Sequence, residues 1–238
     1  FNLRSFLIGN NSKVFFGKNI YFIKEKGIKN IVYFFSKEIQ GSYAYKFGLK
    51  RRAKKLSEEY LLNNISFNKN DKILDCGANN GDLKLWFNLN HLEIEYVAFE
   101  PSIDEFKCLV KNTAPSICHN IALWESNETK TFYVNSQSAD SSIIKPRYVE
   151  YEIKVKAMRI ENFIDKRIKL LKLEAEGSEL EILIGAGDKL KLIEFISADL
   201  GFEKGFNQES TFIPVTNYLF NRGFELVEVN HDRCVALF

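Results

Sequence analysis

The sequence is poor in proline, histidine and methionine, with 4 Pro, 3 His and 1 Met among 238 residues. So little proline excludes collagen-like and proline-rich chains, and a hydrophobic fraction of 45% excludes intrinsic disorder. No stretch approaches the roughly 18 uncharged apolar residues that a membrane-spanning helix needs. We therefore expect a soluble globular protein with one large domain and an N-terminal appendage.

Cysteine is also sparse. The four cysteines, Cys76, Cys108, Cys118 and Cys234, are scattered and form no CxxC pair. No secretory signal pattern opens the chain. We expect a reduced, cytoplasmic protein, with the inner membrane surface as a second possible location.

Charge is distributed unevenly. The net charge is +2, but residues 1–56 hold 13 Lys or Arg against two Glu, a balance of +11 that leaves −9 for the remainder. Aromatic residues alternate with these cations. Two interpretations stay open: an arm that contacts an anionic membrane, an acidic glycan or a nucleic acid, and a helical lid with solvated lysines, which we favour. We predict a basic N-terminal helical arm or lid over residues 1–64 and the main domain over residues 65–238.

From Lys72 onward, apolar runs of strand length alternate with helix-period segments, which predicts a doubly wound α/β sheet. The expected strands are 72–76, 96–99, 116–119, 169–173, 194–198, 224–229 and 234–238. The expected helices are 51–64, 82–89, 103–112, 177–184 and 211–221. Only four residues separate the last two strands, so they must pair as a hairpin, with one strand antiparallel. Residues 130–158 are predicted to form an inserted β segment.

A glycine-containing turn, DCGANNGD over residues 75–82, follows the first predicted strand and opens a helix. Nucleotide-like ligands bind at this point of a doubly wound sheet. Glycine at Gly77 and Gly81 lets backbone and ligand approach closely. A GxGxxG dinucleotide motif would need glycine at 79 and 82, which hold Asn79 and Asp82. Because Asp82 would repel a pyrophosphate at the helix N-terminus, the turn favours a cationic ligand over a nicotinamide dinucleotide.

An acidic residue, Glu100, ends the next strand, 23 residues beyond Gly77. A carboxylate at this spacing accepts hydrogen bonds from both hydroxyls of a ribose. The two features together predict an adenosine-type site.

Polar residues alternate along the end of the fourth strand. Lys172, Glu174 and Glu176 are separated by Leu173 and Ala175, so an extended chain places their side chains on one side of the sheet edge. Strand ends are where ligands bind in such sheets, and we expect Glu174 to serve a ligand or the catalysis.

Four ordered blocks carry a family resemblance: DCGANNG, AFEPSIDEFKCLVKN, NIALWESNETKTFYV with SADSSII after it, and LLKLEAEGSELEILIGA. From about residue 71 to 238 the chain resembles the FkbM family of S-adenosylmethionine-dependent O-methyltransferases. The resemblance implies the class I (Rossmann-like) methyltransferase fold, a seven-stranded sheet with an antiparallel last strand. It also implies methyl transfer to a hydroxyl of a small molecule or glycan, such as a sugar of a bacterial surface polysaccharide or glycolipid. One departure is Glu174, where the family usually has Asp.

The resemblance also implies roles for individual residues. Those implied to bind S-adenosylmethionine are Asp75, Gly77, Ala78, Asn79, Gly81, Glu100, Pro101, Asn120 and Ile121. Ser141, Ser142 and Glu203 are implied to border the acceptor.

An alcohol attacks poorly while it keeps its proton, so a nearby base is expected. The candidate bases are Glu174, Glu176 and Asp199, followed by His119. Lys172 would stabilise negative charge beside them. We expect no required metal and no nucleic-acid partner. Two alternatives stay open: a protein that binds the cofactor without turnover, and a nucleic-acid methyltransferase, although the Asn-Pro-Pro-aromatic motif of DNA amino-methylating enzymes is absent.

Overall fold

The computed structural model describes residues 12–26, 31–135 and 141–238. Residues 1–11 and 27–30 of the predicted arm, and residues 138–140 of the SADSSII block, lie outside the described residues. No helix in the described part of the chain is both long enough and apolar enough to cross a membrane.

The central sheet has seven strands: β4 (Lys72–Cys76), β5 (Glu95–Phe99), β6 (Ile117–His119), β10 (Ile168–Leu173), β11 (Ile193–Asp199), β14 (Glu228–Asn230) and β15 (Val235–Leu237). Their order across the sheet is β14-β15-β11-β10-β4-β5-β6. All neighbouring pairs from β6 to β11 are parallel, whereas β15 runs antiparallel to both β11 and β14. This confirms the predicted α/β fold and its terminal hairpin. The strand predicted over 224–229 begins only at Glu228.

Helices cover both faces of this sheet, as the long apolar strands require. The helices are α1 (Glu38–Tyr43), α2 (Leu49–Glu59), α3 (Asp82–Leu89), α4 (Ile103–Thr113), α5 (Glu179–Ile184) and α6 (Phe212–Phe220). One core cluster joins one face of the sheet to α5 and α6, through residues such as Leu183 and Leu219. The other joins the opposite face to α2, α3 and α4, through residues such as Leu56, Phe87 and Leu109.

Three 3-10 turns and two small sheets complete the C-terminal part. The turns are Leu62–Asn64, Ile160–Phe163 and Gly187–Leu192. The predicted insertion forms a three-stranded sheet of β7 (Ala122–Leu123), β8 (Glu128–Val134) and β9 (Tyr151–Met158), in the order β7-β9-β8. A short hairpin, β12 (Phe202–Lys204) and β13 (Glu209–Ser210), follows β11.

The prediction of a helical N-terminal arm or lid is wrong for residues 12–26 and 31–35. They contain three antiparallel strands, β1 (Ser12–Gly17), β2 (Ile20–Glu25) and β3 (Val32–Phe35), which precede α1 and α2. Along β3 the burial alternates, with Tyr33 and Phe35 buried, because successive strand side chains point to opposite faces. The aromatic residues therefore follow a strand period instead of a helical one.

Candidate active site

A cavity of about 490 Å³ opens at the carboxyl ends of β4, β5 and β10. Its volume is in the range of sites for small ligands and cofactors. Most residues predicted for cofactor and acceptor lie along it: Asp75, Gly77, Ala78, Asn79, Glu100, Pro101, Ile121, Ser141, Ser142, Lys172, Glu174, Glu176 and Glu203. Gly81, Asn120, Asp199 and His119 are not among the residues that line it.

The glycines of the β4–α3 turn are required by protein packing, whether or not they also make room for a ligand as the sequence predicts. Gly77 has φ of +68°, and a Cβ there would lie 1.9 Å from the carbonyl oxygen of Glu174. Gly81 has φ of +91°, and its Cβ would lie 2.6 Å from Thr113 Cγ2. The two glycines thus let β4 and α3 pack against neighbouring elements, and Gly81 stays behind the cavity wall.

Glu100 lies at the end of β5, is 7% exposed and turns its carboxylate toward the turn after β4. The backbone N–H of Asn79 donates to Oε2 at 2.9 Å and that of Ser102 to Oε1 at 2.8 Å. Burial raises the pKa of Glu100 to about 8, and the nearby Glu105 carboxylate adds to the effect. The fixed carboxylate still has lone pairs for further donors, as a ribose diol would supply.

Lys172 joins the ends of β4 and β10. Its buried Nζ donates to the carbonyl oxygens of Cys76 and Gly77, at 3.1 and 2.8 Å. The same Nζ lies 3.2 Å from Asp75 Oδ1 and 3.0 Å from Glu174 Oε2. Burial opposes its charge, but the Asp75 and Glu174 carboxylates hold the pKa of Lys172 above its ordinary value. Lys172 therefore organises the cavity floor, and its ammonium has little capacity left for an acceptor.

Arg233, in the turn between β14 and β15, was not predicted as a site residue. Its guanidinium lies 3.2 Å from Glu174 Oε1, 2.6 Å from Asp199 Oδ2 and 3.4 Å from Glu59 Oε2. Burial alone would raise the pKa of Glu174, but the cations Lys172 and Arg233 lower this pKa to about 2. The longer side chain at 174 thus reaches two cations at once, and its carboxylate is a weak base.

Glu203, on β12, also lines the cavity, and its carboxylate has neither a hydrogen-bond donor nor a cation within bonding distance among the described residues. Burial raises its pKa to about 8, with contributions from the carboxylates of Asp199, Glu174 and Glu179 that Arg233 only partly offsets. Glu203 therefore has a much higher pKa than Glu174, whose carboxylate is paired with two cations.

The N-terminal segment holds the first turn of α3. The hydroxyls of Tyr33 and Tyr45 donate to Asp82 Oδ1 at 2.5 and 2.8 Å, and Arg52 Nε donates to Oδ2 at 2.6 Å. Gln40 Nε2 donates to Asn79 Oδ1 at 3.1 Å, so α1 also contacts the turn after β4. These contacts join residues that are far apart in sequence. The sequence predicts only that the segment packs on the main domain as a lid, and not which residues make the contacts.

The remaining predicted residues brace the cavity or lie outside it. Ser142 Oγ donates to the carbonyl of Glu176 at 2.9 Å, which ties the inserted sheet to the end of β10. Asn120 Nδ2 donates to the carbonyls of Glu100 and Pro101 from the solvent side. His119 stacks on Phe99 with ring centroids 5.4 Å apart, and burial lowers its pKa. His119 is thus not placed to act on an acceptor in the cavity.

The fold and the site define a class I methyltransferase, whose sheet ends in an antiparallel strand and whose cavity lies at the carboxyl edge of the strands. The model of the methyltransferase FkbM domain matches residues 75–226. The chain belongs to this family, which confirms the resemblance described above, and it is an S-adenosylmethionine-dependent methyltransferase.

Similar proteins are distant in sequence. Methyltransferase 1 of Beauveria bassiana (strain ARSEF 2860) is 24% identical over 192 residues, which cover 67% of this chain and 74% of the relative. The solved structure of a Methanococcus jannaschii fibrillarin pre-rRNA processing protein aligns with a TM-score of 0.47 at 13% identity, over 95% of this chain and 96% of that one. Aeropyrum pernix fibrillarin, solved with natively bound S-adenosyl-L-methionine, aligns with a TM-score of 0.46 at 12% identity, over 94% and 96%.

The residues at the cavity fit this cofactor. Glu100 offers a carboxylate to a sugar diol, and Ile121 and Leu123 offer apolar surface nearby. The N-terminus of α3 is already occupied by Asp82, so no site for a pyrophosphate exists there. No three His, Cys, Asp or Glu side chains in the described ranges are grouped to hold a metal ion.

Proposed function

We propose that this methyltransferase moves the methyl group of S-adenosylmethionine to a hydroxyl of a small-molecule or glycan acceptor, such as a sugar of a bacterial surface polysaccharide or glycolipid. The observation that carries the proposal is the excess of acidic over basic residues along the cavity wall. Seven acidic residues line it: Asp75, Asp82, Glu100, Glu105, Glu174, Glu176 and Glu203. Only four basic residues do so: Lys37, Arg52, Lys172 and Arg233.

Each of these four cations already lies in an ion pair. Lys37 pairs with Glu105, Arg52 with Asp82, Lys172 with Asp75, and Arg233 with Asp199. A phosphate-bearing acceptor would meet carboxylates and find no cation to bind. Sugar hydroxyls, in contrast, are donors that carboxylates accept well. The wall therefore supports a neutral polyol over a nucleic acid.

Glu203 is the residue that we assign to proton transfer. The cofactor supplies an electrophilic methyl group. As the acceptor oxygen forms a bond to the methyl carbon and the carbon–sulfur bond breaks, the hydroxyl proton passes to the Glu203 carboxylate. A base with a pKa of about 8 is matched to neutral conditions, whereas Glu174, with a pKa of about 2, is not. Lys172 and Arg233 then position Glu174 beside the turn after β4.

The experiment is to measure S-adenosylhomocysteine release with neutral glycans, acidic glycans and RNA as acceptors. With the best neutral glycan, Glu203→Gln should lower the rate by about 10² to 10⁴-fold, since general bases contribute this much. The control is Glu209→Gln, an exposed glutamate on the adjacent strand β13.

The pH dependence gives a second readout. Because Glu203 acts as a carboxylate, the wild-type rate should rise with pH up to about 8 and then level off, and Glu203→Gln should lack this rise. Release of S-adenosylhomocysteine with RNA but with neither type of glycan would contradict the proposal. A wild-type rate in Glu203→Gln would also contradict it.

A further inference from the structure

The β1–β2 hairpin ends in a tight two-residue turn. Gly17 pairs with Ile20, and the intervening Lys18 and Asn19 have φ of 54° and 58°. Two central residues with positive φ are typical of the turns that join twisted antiparallel strands. We call residues 15–22, the turn and the strand ends beside it, the hairpin tip.

Each face of the hairpin tip carries an exposed phenyl ring. Phe15 and Phe16 are consecutive in β1 and so point to opposite faces, and they are 41% and 61% exposed. On a strand that lies flat against the body, one of the two would be buried, as Tyr33 and Phe35 are in β3. The tip therefore presents a phenyl ring to solvent on either side, while Tyr21, the cross-strand partner of Phe16, stacks on Phe35 of the body.

Lysines surround these rings without carboxylate partners. Lys13 and Lys24 are direct cross-strand neighbours, an arrangement of like charges that destabilises a hairpin. In the described ranges neither lysine lies in an ion pair, nor does Lys18 at the turn. Lys24 Nζ instead lies 5.7 and 5.6 Å from the ring centroids of Phe15 and Phe22. An anionic surface would relieve the repulsion between these ammonium groups.

We propose that the hairpin tip docks on an anionic lipid membrane, with its aromatic rings at the level of the headgroups and its lysines against the lipid phosphates. Aromatic rings favour the membrane–water interface, and basic residues bind anionic lipid. The proposal concerns a surface outside the cavity and does not depend on which acceptor is methylated.

The arrangement of the rings favours lipid over single-stranded nucleic acid. A nucleic acid stacks its bases on rings that share one face of a sheet. Here the exposed rings lie on both faces, and Phe15 is already stacked on Phe22, with centroids 5.2 Å apart and an interplanar angle of 16°. Outside residues 1–56 the chain carries −9, which would repel a polyanion that extends beyond the tip.

The test is flotation of the whole chain with vesicles of phosphatidylcholine, and with vesicles of equimolar phosphatidylcholine and phosphatidylglycerol. The variant Lys13→Gln/Lys24→Gln should bind the anionic vesicles about 25-fold more weakly, about 5-fold for each lysine. Its control, Lys54→Gln/Lys69→Gln, removes the same charge from two exposed lysines elsewhere. Phe15→Ala/Phe16→Ala should weaken the binding that remains at high salt.

Binding to the anionic vesicles alone, reduced by both tip variants and not by the control, is the expected result. No binding to anionic vesicles at low salt would overturn the proposal, as would equal losses in the tip and control variants. Binding of a single-stranded RNA oligonucleotide that the tip variants abolish, without vesicle binding, would assign the surface to nucleic acid. Unchanged S-adenosylhomocysteine affinity in calorimetry establishes that each variant is folded, and it separates this test from the proposed methyl transfer.

Discussion

Replacing Asp82 by asparagine tests how the N-terminal segment is joined to the sheet. Asp82 accepts from Tyr33 and Tyr45 on one oxygen and from Arg52 on the other. An asparagine has only one side-chain oxygen that can accept hydrogen bonds, so it can accept from the tyrosine hydroxyls or from Arg52 but not from both sides at once. If its oxygen faces the two tyrosines, its amide N–H groups face the Arg52 guanidinium, which keeps, among the described residues, only the more distant Glu59 Oε2, 4.0 Å away, as a counter-charge.

Removing one partner of a buried ion pair costs about 3 to 5 kcal/mol. The Arg52 side chain is 21% exposed, so solvent relieves part of that loss, and the two tyrosine hydrogen bonds survive. We therefore expect Asp82→Asn to lower the free energy of unfolding by about 2 to 4 kcal/mol. Urea unfolding, followed by far-UV circular dichroism, measures this change as a shift of the midpoint.

A double-mutant cycle supplies the control. Arg52→Met removes the guanidinium, so Asp82→Asn should cost less in that background, with a coupling energy of about 1 to 3 kcal/mol. Additive losses, or a loss below about 0.5 kcal/mol for Asp82→Asn alone, would show that the Asp82–Arg52 pair does not hold the N-terminal segment, because ordinary surface substitutions produce effects of that size.

Two further changes have definite outcomes. Gly77→Ala places a Cβ 1.9 Å from the Glu174 carbonyl oxygen, on a residue with φ of +68°. This variant should fail to fold, as gel filtration would show, or fail to bind the cofactor in calorimetry. Normal cofactor binding would contradict the close packing at Gly77. Burial raises the pKa of Glu179 to about 7, so its contribution to stability is present below its unfolded-state pKa of 4.5 and is lost as pH rises toward 7. Glu179→Gln should therefore reduce the loss of stability between pH 5 and pH 8 in thermal melts, and an unchanged slope would contradict the shift.

The strand and helix pattern from Lys72 onward could be predicted because it depends on local periodicity. Helix α3 begins and ends at the predicted residues, 82–89, and β4 matches its predicted bounds as well. The N-terminal strands were missed because aromatic pairs such as Phe15 and Phe16 obscure the alternation of β1. The exposed tip allows this pattern, since no buried face is imposed on those residues.

The candidate site was predicted best where function depends on short segments. The turn after β4 and Glu100 lie where the motif spacing indicated. Arg233 was missed because its partners Glu59, Glu174 and Asp199 lie on three different elements, and no sequence spacing connects them. The same long-range electrostatics lowers the pKa of Glu174 and leaves Glu203 as the better base, which sequence alone could not indicate.

The central claim is that the cavity between Gly77 and Glu100 binds S-adenosylmethionine. Calorimetry with S-adenosylmethionine and S-adenosylhomocysteine tests it directly, with Glu100→Ala beside the exposed control Glu93→Ala. We expect micromolar binding to the wild type and to Glu93→Ala, and binding about 100-fold weaker in Glu100→Ala, since two hydrogen bonds to a carboxylate are lost. Equal affinity in wild type and Glu100→Ala, or no binding to the folded wild type, would contradict it.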